Sequence, residues 1–371
     1  MTPDSDAQLM SWNSEEDALS TVGGVQDIPQ ALIVGVGGAG NDLLTHLMDA
    51  SSDAFFCIAT DTDRYHLQIC RAHAKLLMQD DSSSDAGTFG NIDTGRRAAL
   101  RNVDKLDKAF DNADLVFVLA GVGGGTGGGA APVISYRARR RGALVIGLIT
   151  ITPIIGRYGA QLAIESTRRM LNTCDTLVLV DNQGLEPISP ILPLGLNLDA
   201  PAKMCCSVVE SITQAFAKTT SMNGGLRKLR VILKGAGLSR LGIGESYSPF
   251  GVEEAVLSAL RNSMPLGHLE CASGIFLDII ASETIQDWHR ESALEAVLQR
   301  VNPEADLICE WRTEESRSTS ARVSVLATGV PFPFSWGGYR RIPLEIYELE
   351  PESGEDEGIG LGLDLEQLES P

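Results

Sequence analysis

The sequence has few lysines and few aromatic residues, and it contains no long apolar run. Only seven of its 30 basic residues are lysine, against 49 acidic residues, and the formal net charge is −19. Binding to nucleic acid needs clustered basic residues, so this balance argues against a nucleic-acid partner. No apolar run approaches the ~20 residues of a membrane-spanning helix, which leaves only indirect membrane contact. The seven cysteines are scattered in apolar stretches, which predicts reduced thiols in a cytoplasmic protein.

The acidic excess is concentrated at the two ends of the chain. Residues 1–30 carry six acidic residues and no base, and residues 342–371 carry ten acidic residues and no base. Segments with low hydrophobicity and high net charge do not bury enough apolar surface to fold. We therefore predict a disordered acidic leader over residues 1–30 and an acidic flexible tail over residues 331–371.

Short apolar runs alternate with helix-length segments through the first half of the chain. Buried strands are predicted at residues 31–34, 55–60, 115–120, 144–149 and 176–180, with helices at 41–50, 93–111, 130–141 and 161–171. Strands that are apolar throughout and alternate with helices indicate a parallel sheet covered on both faces. The fold class is therefore α/β, with a Rossmann-like domain over residues 31–201.

The second half of the chain has a different pattern, which follows a long helical segment. The helix is predicted over residues 202–221 and separates the Rossmann-like domain from a smaller α+β domain over residues 222–330. Strands are predicted there at 231–234, 274–280 and 321–327, and helices at 252–261 and 291–301.

A first glycine-rich segment, Gly35–Gly40, lies between the first strand and the first helix. Glycine allows the backbone to approach an anion, and a helix N-terminus presents free N–H groups and a positive dipole end. The segment also fits the G-x-G-x-x-G pattern, and Asp61 stands where a dinucleotide-binding enzyme keeps its ribose-binding acid. An NAD(P)-dependent oxidoreductase is therefore one alternative, and glycines that serve packing alone are another.

A second glycine-rich segment, Gly121–Gly129, follows the strand at 115–120 and precedes a helix. Its Thr126 can add a hydroxyl donor to a second phosphate-binding turn. A dinucleotide-binding enzyme has no need of a second turn of this kind. Two such segments favour a nucleotide with a long phosphate tail, held from two helix ends.

Residues 123–129 read GGGTGGG and resemble the GGGTG[TS]G signature of the FtsZ/tubulin superfamily, with one departure. Further segments similar to FtsZ follow in the family's order, at 34–41, 58–61, 242–245 and 324–329, so the resemblance covers about residues 31–330. It is stronger for FtsZ than for tubulin and identifies the chain as a divergent, archaeal-type FtsZ-like member. It implies the FtsZ/tubulin fold and a site for GTP or GDP, with Mg²⁺ as a possible companion of the nucleotide.

The resemblance also implies which residues hold the nucleotide. Phosphate contacts fall on two groups, Gly37, Gly38, Ala39, Gly40 and Asn41, and Gly123, Gly124, Gly125, Thr126, Gly127 and Gly128. The γ-phosphate-sensing loop of the family falls on Thr88, Phe89 and Gly90, and its guanine-binding asparagine on Asn182.

The family's catalytic loop is where the sequence departs most from the pattern. In FtsZ this loop inserts its carboxylates into the nucleotide site of the next subunit, and here it falls on residues 223–228. Asn223 is kept, but the two carboxylate positions are Gly225 and Lys228. Glycine has no side chain and lysine is normally protonated, so neither activates water as a general base.

The resemblance therefore implies a GTP-binding cytoskeletal protein of cell division or shape control with impaired intrinsic hydrolysis. We expect it to assemble with itself or with an FtsZ paralogue, whose carboxylates could complete its site. The alternative is a fully active self-assembling cell-division GTPase that uses other acids. Residues 361–368, at the end of the tail, are a candidate peptide for an adaptor protein.

Two remaining patterns have simpler explanations than a ligand site. His66, Cys70 and His73 have the spacing of metal ligands on one helix face, but we expect an ordinary helix and no metal. Residues 137–141 form an arginine-rich run at a predicted helix end, where basic residues complement the helix dipole.

Overall fold

The structure is a computed structural model that describes residues 30–50, 55–79, 87–151, 156–181, 200–217, 224–248, 251–262, 269–281, 287–313 and 321–331. Strands and helices alternate through the first half, as the apolar runs predict. In chain order they are β1 (Ala31–Val36), α1 (Gly37–Ala50), β2 (Phe56–Asp61), α2 (Arg64–Ile69), β3 (Ala74–Leu77), α3 (Ile92–Leu100), α4 (Val103–Phe110), β4 (Leu115–Val122), α5 (Gly125–Arg140), β5 (Leu144–Ile151), α6 (Gly156–Thr173) and β6 (Thr176–Asp181).

The second half begins with a long helix and continues as a mixed arrangement. Its elements are α7 (Ala200–Ala217), α8 (Gly224–Leu233), β7 (Gly237–Ser246), α9 (Gly251–Arg261), β8 (Gly274–Ala281), α10 (Asp287–Leu298), β9 (Asp306–Thr313) and β10 (Ala321–Thr328). The helix α7 corresponds to the predicted central helix.

All ten of these strands belong to one sheet, in the order β3-β2-β1-β4-β5-β6-β7-β10-β8-β9. Every neighbouring pair is parallel except for β10, which runs antiparallel to both β7 and β8. The sheet passes from the first half to the second where β6 pairs with the beginning of β7. This mostly parallel sheet confirms the α/β fold class, whereas the domain boundaries remain predictions.

Each face of the sheet packs against its own apolar core. On β4, Leu115 and Phe117 face the core formed with α1, α7 and α8, while Val116 and Val118 face the core formed with α3, α4, α5 and α6. Both β4 and β5 are buried along their whole length. Strands covered on both faces are apolar throughout, which is why β1, β2, β4, β5 and β6 are recognisable in the sequence.

The central helix α7 is joined to the C-terminal strands by side-chain hydrogen bonds. The hydroxyl oxygens of Ser207 and Ser324 lie 2.8 Å apart, and Ser211 donates a hydrogen bond of 2.6 Å to the carboxylate of Asp278 on β8. These polar contacts fix α7 against β8 and β10 at the margin of the apolar core.

Two sequence predictions about the elements are wrong, and four elements were not predicted. The predicted strand at 231–234 is part of helix α8, in which Leu226, Leu229 and Leu233 are buried and Val231 is exposed. This spacing is helical, and the strand lies further along the chain as β7. The single helix predicted at 93–111 is two helices, α3 and α4, separated at residues 101–102. Strands β3, β7 and β9 and helix α8 were not predicted at all, whereas α2 lies in the segment of His66, where an ordinary helix is expected.

Candidate functional site

The first glycine-rich segment joins β1 directly to α1. Helix α1 begins at Gly37, whose φ of 68° lies in the left-handed region that favours glycine. A Cβ at Gly40 would lie 2.1 Å from the carbonyl oxygen of Leu119 on β4, and a Cβ at Gly37 would lie 2.9 Å from the backbone nitrogen of Gly127. The absence of side chains therefore brings α1 against β4 and the two glycine-rich segments into contact.

The second glycine-rich segment is mostly helical, which corrects the predicted loop. Strand β4 extends to Val122, Gly123 has a φ of 107°, and α5 begins at Gly125 rather than near residue 130. Gly124 caps the helix without a side-chain hydrogen bond, and a Cβ there would meet nothing within 4 Å. The first turn of α5 therefore presents its backbone N–H groups beside an open position.

Close packing requires the glycines that follow Gly124. A Cβ at Gly125 would lie 2.2 Å from the Thr88 hydroxyl oxygen, and a Cβ at Gly129 would lie 2.0 Å from the carbonyl oxygen of Ile92. These positions let α5 approach α3 and the residues before it. Of the predicted phosphate-binding glycines, Gly125 therefore has a packing role of its own, while Gly124 has open space.

Three hydroxyl groups from separate segments meet beside the first turn of α5. The Thr126 Oγ1 atom lies 2.6 Å from Oγ1 of Thr62 and 3.5 Å from Oγ1 of Thr88. Thr62 directly follows β2, and sequence reasoning did not single it out. Thr62 lies at the carboxyl end of a parallel strand, where ligands bind in open α/β sheets. This position could have identified Thr62 as a candidate from the sequence.

Asn41 and Asp61 form a buried polar pair behind the glycine-rich segments. Asn41 donates through Nδ2 to the carbonyl oxygen of Thr60 and to Oδ2 of Asp61, both at 3.2 Å, while its Oδ1 atom is buried without a partner. The other Asp61 oxygen accepts backbone hydrogen bonds from Thr62 and Asp63, at 2.8 and 3.2 Å. Burial raises the pKa of Asp61, and these backbone donors oppose that effect. A carboxylate so occupied is not free to hold a ribose, which argues against the dinucleotide alternative.

The histidines and cysteine that share metal-ligand spacing do not converge. Helix α2 ends at Ile69, so Cys70 only caps it. The His66 Nδ1 atom lies 3.3 Å from the Asp61 carboxylate, whereas His73 accepts a hydrogen bond of 2.9 Å from the backbone N–H of Cys57. Within the described part of the chain, no group of three or more His, Cys, Asp or Glu residues could hold a metal ion.

Residues 87–90 form a tight turn beside Thr126. Thr88 is buried, whereas the Phe89 side chain is 85 % exposed. Phe89 has a φ of 50°, and it is a non-glycine residue in the left-handed region. An exposed aromatic ring held in a strained backbone conformation is often part of a functional surface.

The remaining predicted site residues lie at or beyond the limits of the described chain. Asn182 and Asn223 are outside the described residues. The predicted catalytic loop is largely helical, because α8 begins at Gly224. Gly225 is buried in the first turn of α8, and Lys228 is exposed one turn later.

Comparisons with known proteins agree with this geometry. The Tubulin/FtsZ family, GTPase domain, matches residues 30–190. The Cell division protein FtsZ 1 of Thermococcus kodakarensis is 30 % identical over 339 residues, which cover 91 % of this chain and 88 % of that protein. The chain belongs to the Tubulin/FtsZ family. The Cell division protein FtsZ 2 of Methanocaldococcus jannaschii is also 30 % identical, over 81 % of this chain and 80 % of its own length.

Solved structures of the family show the same fold. The empty FtsZ dimer of M. jannaschii superposes with a TM-score of 0.73 at 27 % identity, over 86 % of this chain and 92 % of that chain. The GTPγS-bound protofilament of CetZ2 from Haloferax volcanii matches with a TM-score of 0.66 at 20 % identity, over 80 % and 92 % of the two chains. The fold is therefore that of the FtsZ/tubulin cytoskeletal GTPases.

This membership confirms the family identification from the glycine-rich motifs. FtsZ/tubulin GTPases bind GTP and GDP and act in cell division or cell shape. The M. jannaschii FtsZ structure is a dimer, and the CetZ2 structure is a protofilament. None of the described helices is long and apolar enough to cross a membrane.

Proposed function

We propose that this chain binds GTP or GDP with the phosphates between the first turns of α1 and α5. The contact between Gly37 and Gly127 carries this proposal, because it brings two helix N-termini to one place. Helix N-termini attract anions through their free N–H groups and their dipoles. The hydroxyl groups of Thr62, Thr88 and Thr126 add donors at the same place.

Mg²⁺ is the companion we propose for the bound nucleotide. Mg²⁺ prefers oxygen ligands and is usually held by one or two protein groups together with substrate phosphates. The threonine hydroxyls and the unpartnered Oδ1 atom of Asn41 are oxygen donors of the right kind. When bound, the ion would neutralise phosphate charge, while Thr62 and Thr126 orient the phosphates.

We propose further that the pure protein hydrolyses GTP poorly. The family's catalytic carboxylates act on the nucleotide of the next subunit, and their positions here are Gly225 and Lys228 on α8. Lys228 is exposed, so it is available at a subunit contact, where its positive charge would favour phosphate binding over water activation.

We propose assembly into longitudinal filaments, with copies of this chain or with an FtsZ paralogue. The dimeric FtsZ of M. jannaschii and the CetZ2 protofilament support this proposal, and exposed aromatic and apolar side chains are available for such contacts. Phe89 is 85 % exposed and Tyr65 is 69 % exposed near the nucleotide site, and Val231 on α8 is 62 % exposed. The location would be cytoplasmic, with any adaptor bound through residues 361–368 of the tail.

A fully active self-assembling cell-division GTPase is the second candidate. The observation that favours it is the match to FtsZ 1 of T. kodakarensis, a cell division protein, over 91 % of this chain. In that case other acidic residues would replace the two missing carboxylates.

Restoring the carboxylates tests the proposal against this alternative. We expect the double variant G225D/K228D to release phosphate from GTP at least ~100-fold faster than the wild type, the lower limit for one positioned acid–base group. K228D alone avoids the buried position of Gly225 and is expected to give a smaller increase. The matched control is R227D, which makes the same charge change at the neighbouring exposed position of α8 and should leave the rate unchanged. Rapid phosphate release by the wild type, which the double variant does not exceed, would refute impaired hydrolysis.

A further inference from the structure

A cavity of about 360 Å³ opens at the C-terminal end of α5, lined by Asp107, Arg137, Arg140 and Arg141. Because α5 has 16 residues and a helix rises about 1.5 Å per residue, this cavity lies roughly 24 Å from the glycines at the other end of the helix. It is therefore separate from the proposed nucleotide site.

The cavity has an excess of positive charge. Asp107 is its only acidic lining residue, and it accepts hydrogen bonds from Arg137 Nε at 2.8 Å and from Arg141 Nη2 at 3.0 Å. Arg140 is exposed, with its guanidinium 5.9 Å from the centre of the Tyr136 ring. Arg141 also donates a hydrogen bond of 2.7 Å to the exposed carboxylate of Asp111, so three guanidinium groups meet two carboxylates in a chain whose formal net charge is −19. Complementing the helix dipole explains basic residues here, but not why they line a cavity.

The chain leaves the sheet at the same edge at which α5 ends and β5 begins. Strand β10 runs antiparallel to β7, so it ends at the edge of the sheet where β6 and β7 begin. Val330 donates a hydrogen bond of 3.0 Å to the carbonyl oxygen of Leu238, and Gly237 donates one of 3.0 Å to the carbonyl oxygen of Asp175. The Asp175 carboxylate lies 3.4 Å from Nε of Arg139, the neighbour of Arg140. Short contacts therefore connect the exit of the chain to the arginine run.

We propose that the acidic segment of residues 342–371 docks in the arginine cavity of its own chain. The segment has ten acidic residues and no basic residue, which complements the charge of the cavity. Arginine pairs with carboxylates through two parallel hydrogen bonds, so a guanidinium-lined cavity suits an acidic peptide. The segment begins about ten residues after Pro331, and ten extended residues span up to about 35 Å, more than the length of α5.

Docking would give the acidic tail two alternative positions. A tail held on the arginines is withdrawn from any partner that binds residues 361–368. Because the attraction is between charges near the surface, salt weakens it. The cavity would thus hold the tail until a partner or a higher ionic strength releases it.

Zero-length carbodiimide cross-linking of the full chain tests this proposal. The reagent joins carboxylates to lysine amines in direct contact, and the exposed Lys108 follows Asp107 on α4. Trypsin releases residues 342–371 as one peptide, because no basic residue follows Arg341. We expect this peptide to be joined to Lys108 several-fold more often than to Lys75 at the far edge of the sheet, and the yield to fall at least ~3-fold between about 0.05 and 0.5 M NaCl.

A charge-reversal variant tests whether the cavity arginines are responsible for the Lys108 cross-link. R140E should lower the Lys108 cross-link at least ~3-fold, because it replaces an attraction to carboxylates with a repulsion. The matched control is R290E, since Arg290 is also exposed and lies over an aromatic ring, 5.3 Å from the centre of Trp311. Four outcomes would each overturn the proposal. The Lys108 cross-link could be unchanged in R140E, or it could fall equally in R290E. The tail peptide could be joined to all lysines equally, or a peptide from residues 1–30 could be joined to Lys108 in its place. The wild-type salt series needs no variant and remains decisive if R140E folds poorly.

Discussion

The hydroxyl oxygens of Thr62 and Thr126 lie 2.6 Å apart, joining the end of β2 to the first turn of α5. Both residues are buried, and Thr88 approaches the same hydroxyl of Thr126 at 3.5 Å. A buried hydroxyl cluster at a helix N-terminus is held in place before a ligand arrives. The nucleotide site we propose is therefore organised by contacts within the chain as well as by its glycines.

Removing the Thr126 hydroxyl should weaken nucleotide binding more than it weakens the fold. T126V keeps the shape of the side chain but leaves the Thr62 hydroxyl without this partner. A hydrogen bond from the Thr126 hydroxyl to a charged phosphate is worth about 1.5–3 kcal/mol, so we expect T126V to bind GTP at least roughly 10-fold more weakly, as measured by isothermal titration calorimetry. T126S retains Oγ1 and is the control, with affinity close to the wild type. Equal binding by T126V and the wild type would place the nucleotide elsewhere.

Substitutions at two glycines of the second glycine-rich segment should distinguish an effect on the free energy of unfolding from an effect on GTP binding. In G129A the new Cβ would lie 2.0 Å from the carbonyl oxygen of Ile92, so α5 and α3 must move apart. We expect a loss of about 1–3 kcal/mol in the free energy of unfolding, measured by denaturant titration. G124A meets nothing within 4 Å and should keep its stability, while its methyl group obstructs the open position beside α5 and weakens GTP binding. A G124A variant that loses stability but binds GTP normally would show that Gly124 has a structural role.

Phe89 should contribute to assembly rather than to stability. Its φ of 50° is a conformation that glycine adopts without strain, so F89G should not lower the free energy of unfolding and can raise it by about 1 kcal/mol. The exposed ring is lost, and we expect less sedimentable polymer in the presence of GTP. A large drop in stability with normal sedimentation would contradict a surface role for Phe89.

The carboxyl group of Asp107 gives a pH-dependent contribution to stability. Burial raises the pKa of this group, but the hydrogen bonds and charges of Arg137 and Arg141 outweigh burial and hold the pKa below its ordinary value of 3.8. The folded chain thus favours the ionised form. Its stabilising effect is fully present above the ordinary pKa and is lost as the pH falls through the lowered one.

D107N should therefore lower the free energy of unfolding at pH 7 by about 2–4 kcal/mol, as expected when one partner of a largely buried ion pair is removed. The difference from the wild type should shrink as the pH falls below 3.8. The control is D111N, because Asp111 is exposed and pairs with Arg141 at 2.7 Å; removing an exposed pair changes stability by less than about 1 kcal/mol. Denaturant titrations across pH measure both, and a difference that grows toward low pH would contradict the assigned direction.

The parts of the fold predicted from sequence are those in which one physical signal dominates. Strands such as β4 and β5 are buried on both faces, so their apolar runs are unambiguous. The α8 error arose because Val231 stands beside Ile232 and Leu233, which together read as a strand, although Val231 points to solvent. Strand β7 was missed because it contains three glycines in ten residues, which weakens the pattern of a strand.

The residues of the candidate site likewise divide into those that the sequence predicts and those that only the structure reveals. Glycine spacing and the family resemblance led to Gly37, Gly124 and Thr126. The hydroxyl of Thr62 depends on contacts between segments 64 residues apart, which no local pattern reveals. The packing role of Gly125 and Gly129 likewise depends on the approach of α3, so sequence alone could not separate it from phosphate binding.

The most direct test of the central claim is phosphate release from GTP by the pure wild-type protein, measured over a wide range of protein concentration. The claim is that the chain binds GTP between α1 and α5 but lacks, at Gly225 and Lys228, the carboxylates that complete a neighbour's site. It predicts saturable GTP binding with slow release per subunit that stays nearly constant as concentration rises. Rapid release that increases steeply above a threshold concentration would contradict it and would establish a self-activating GTPase.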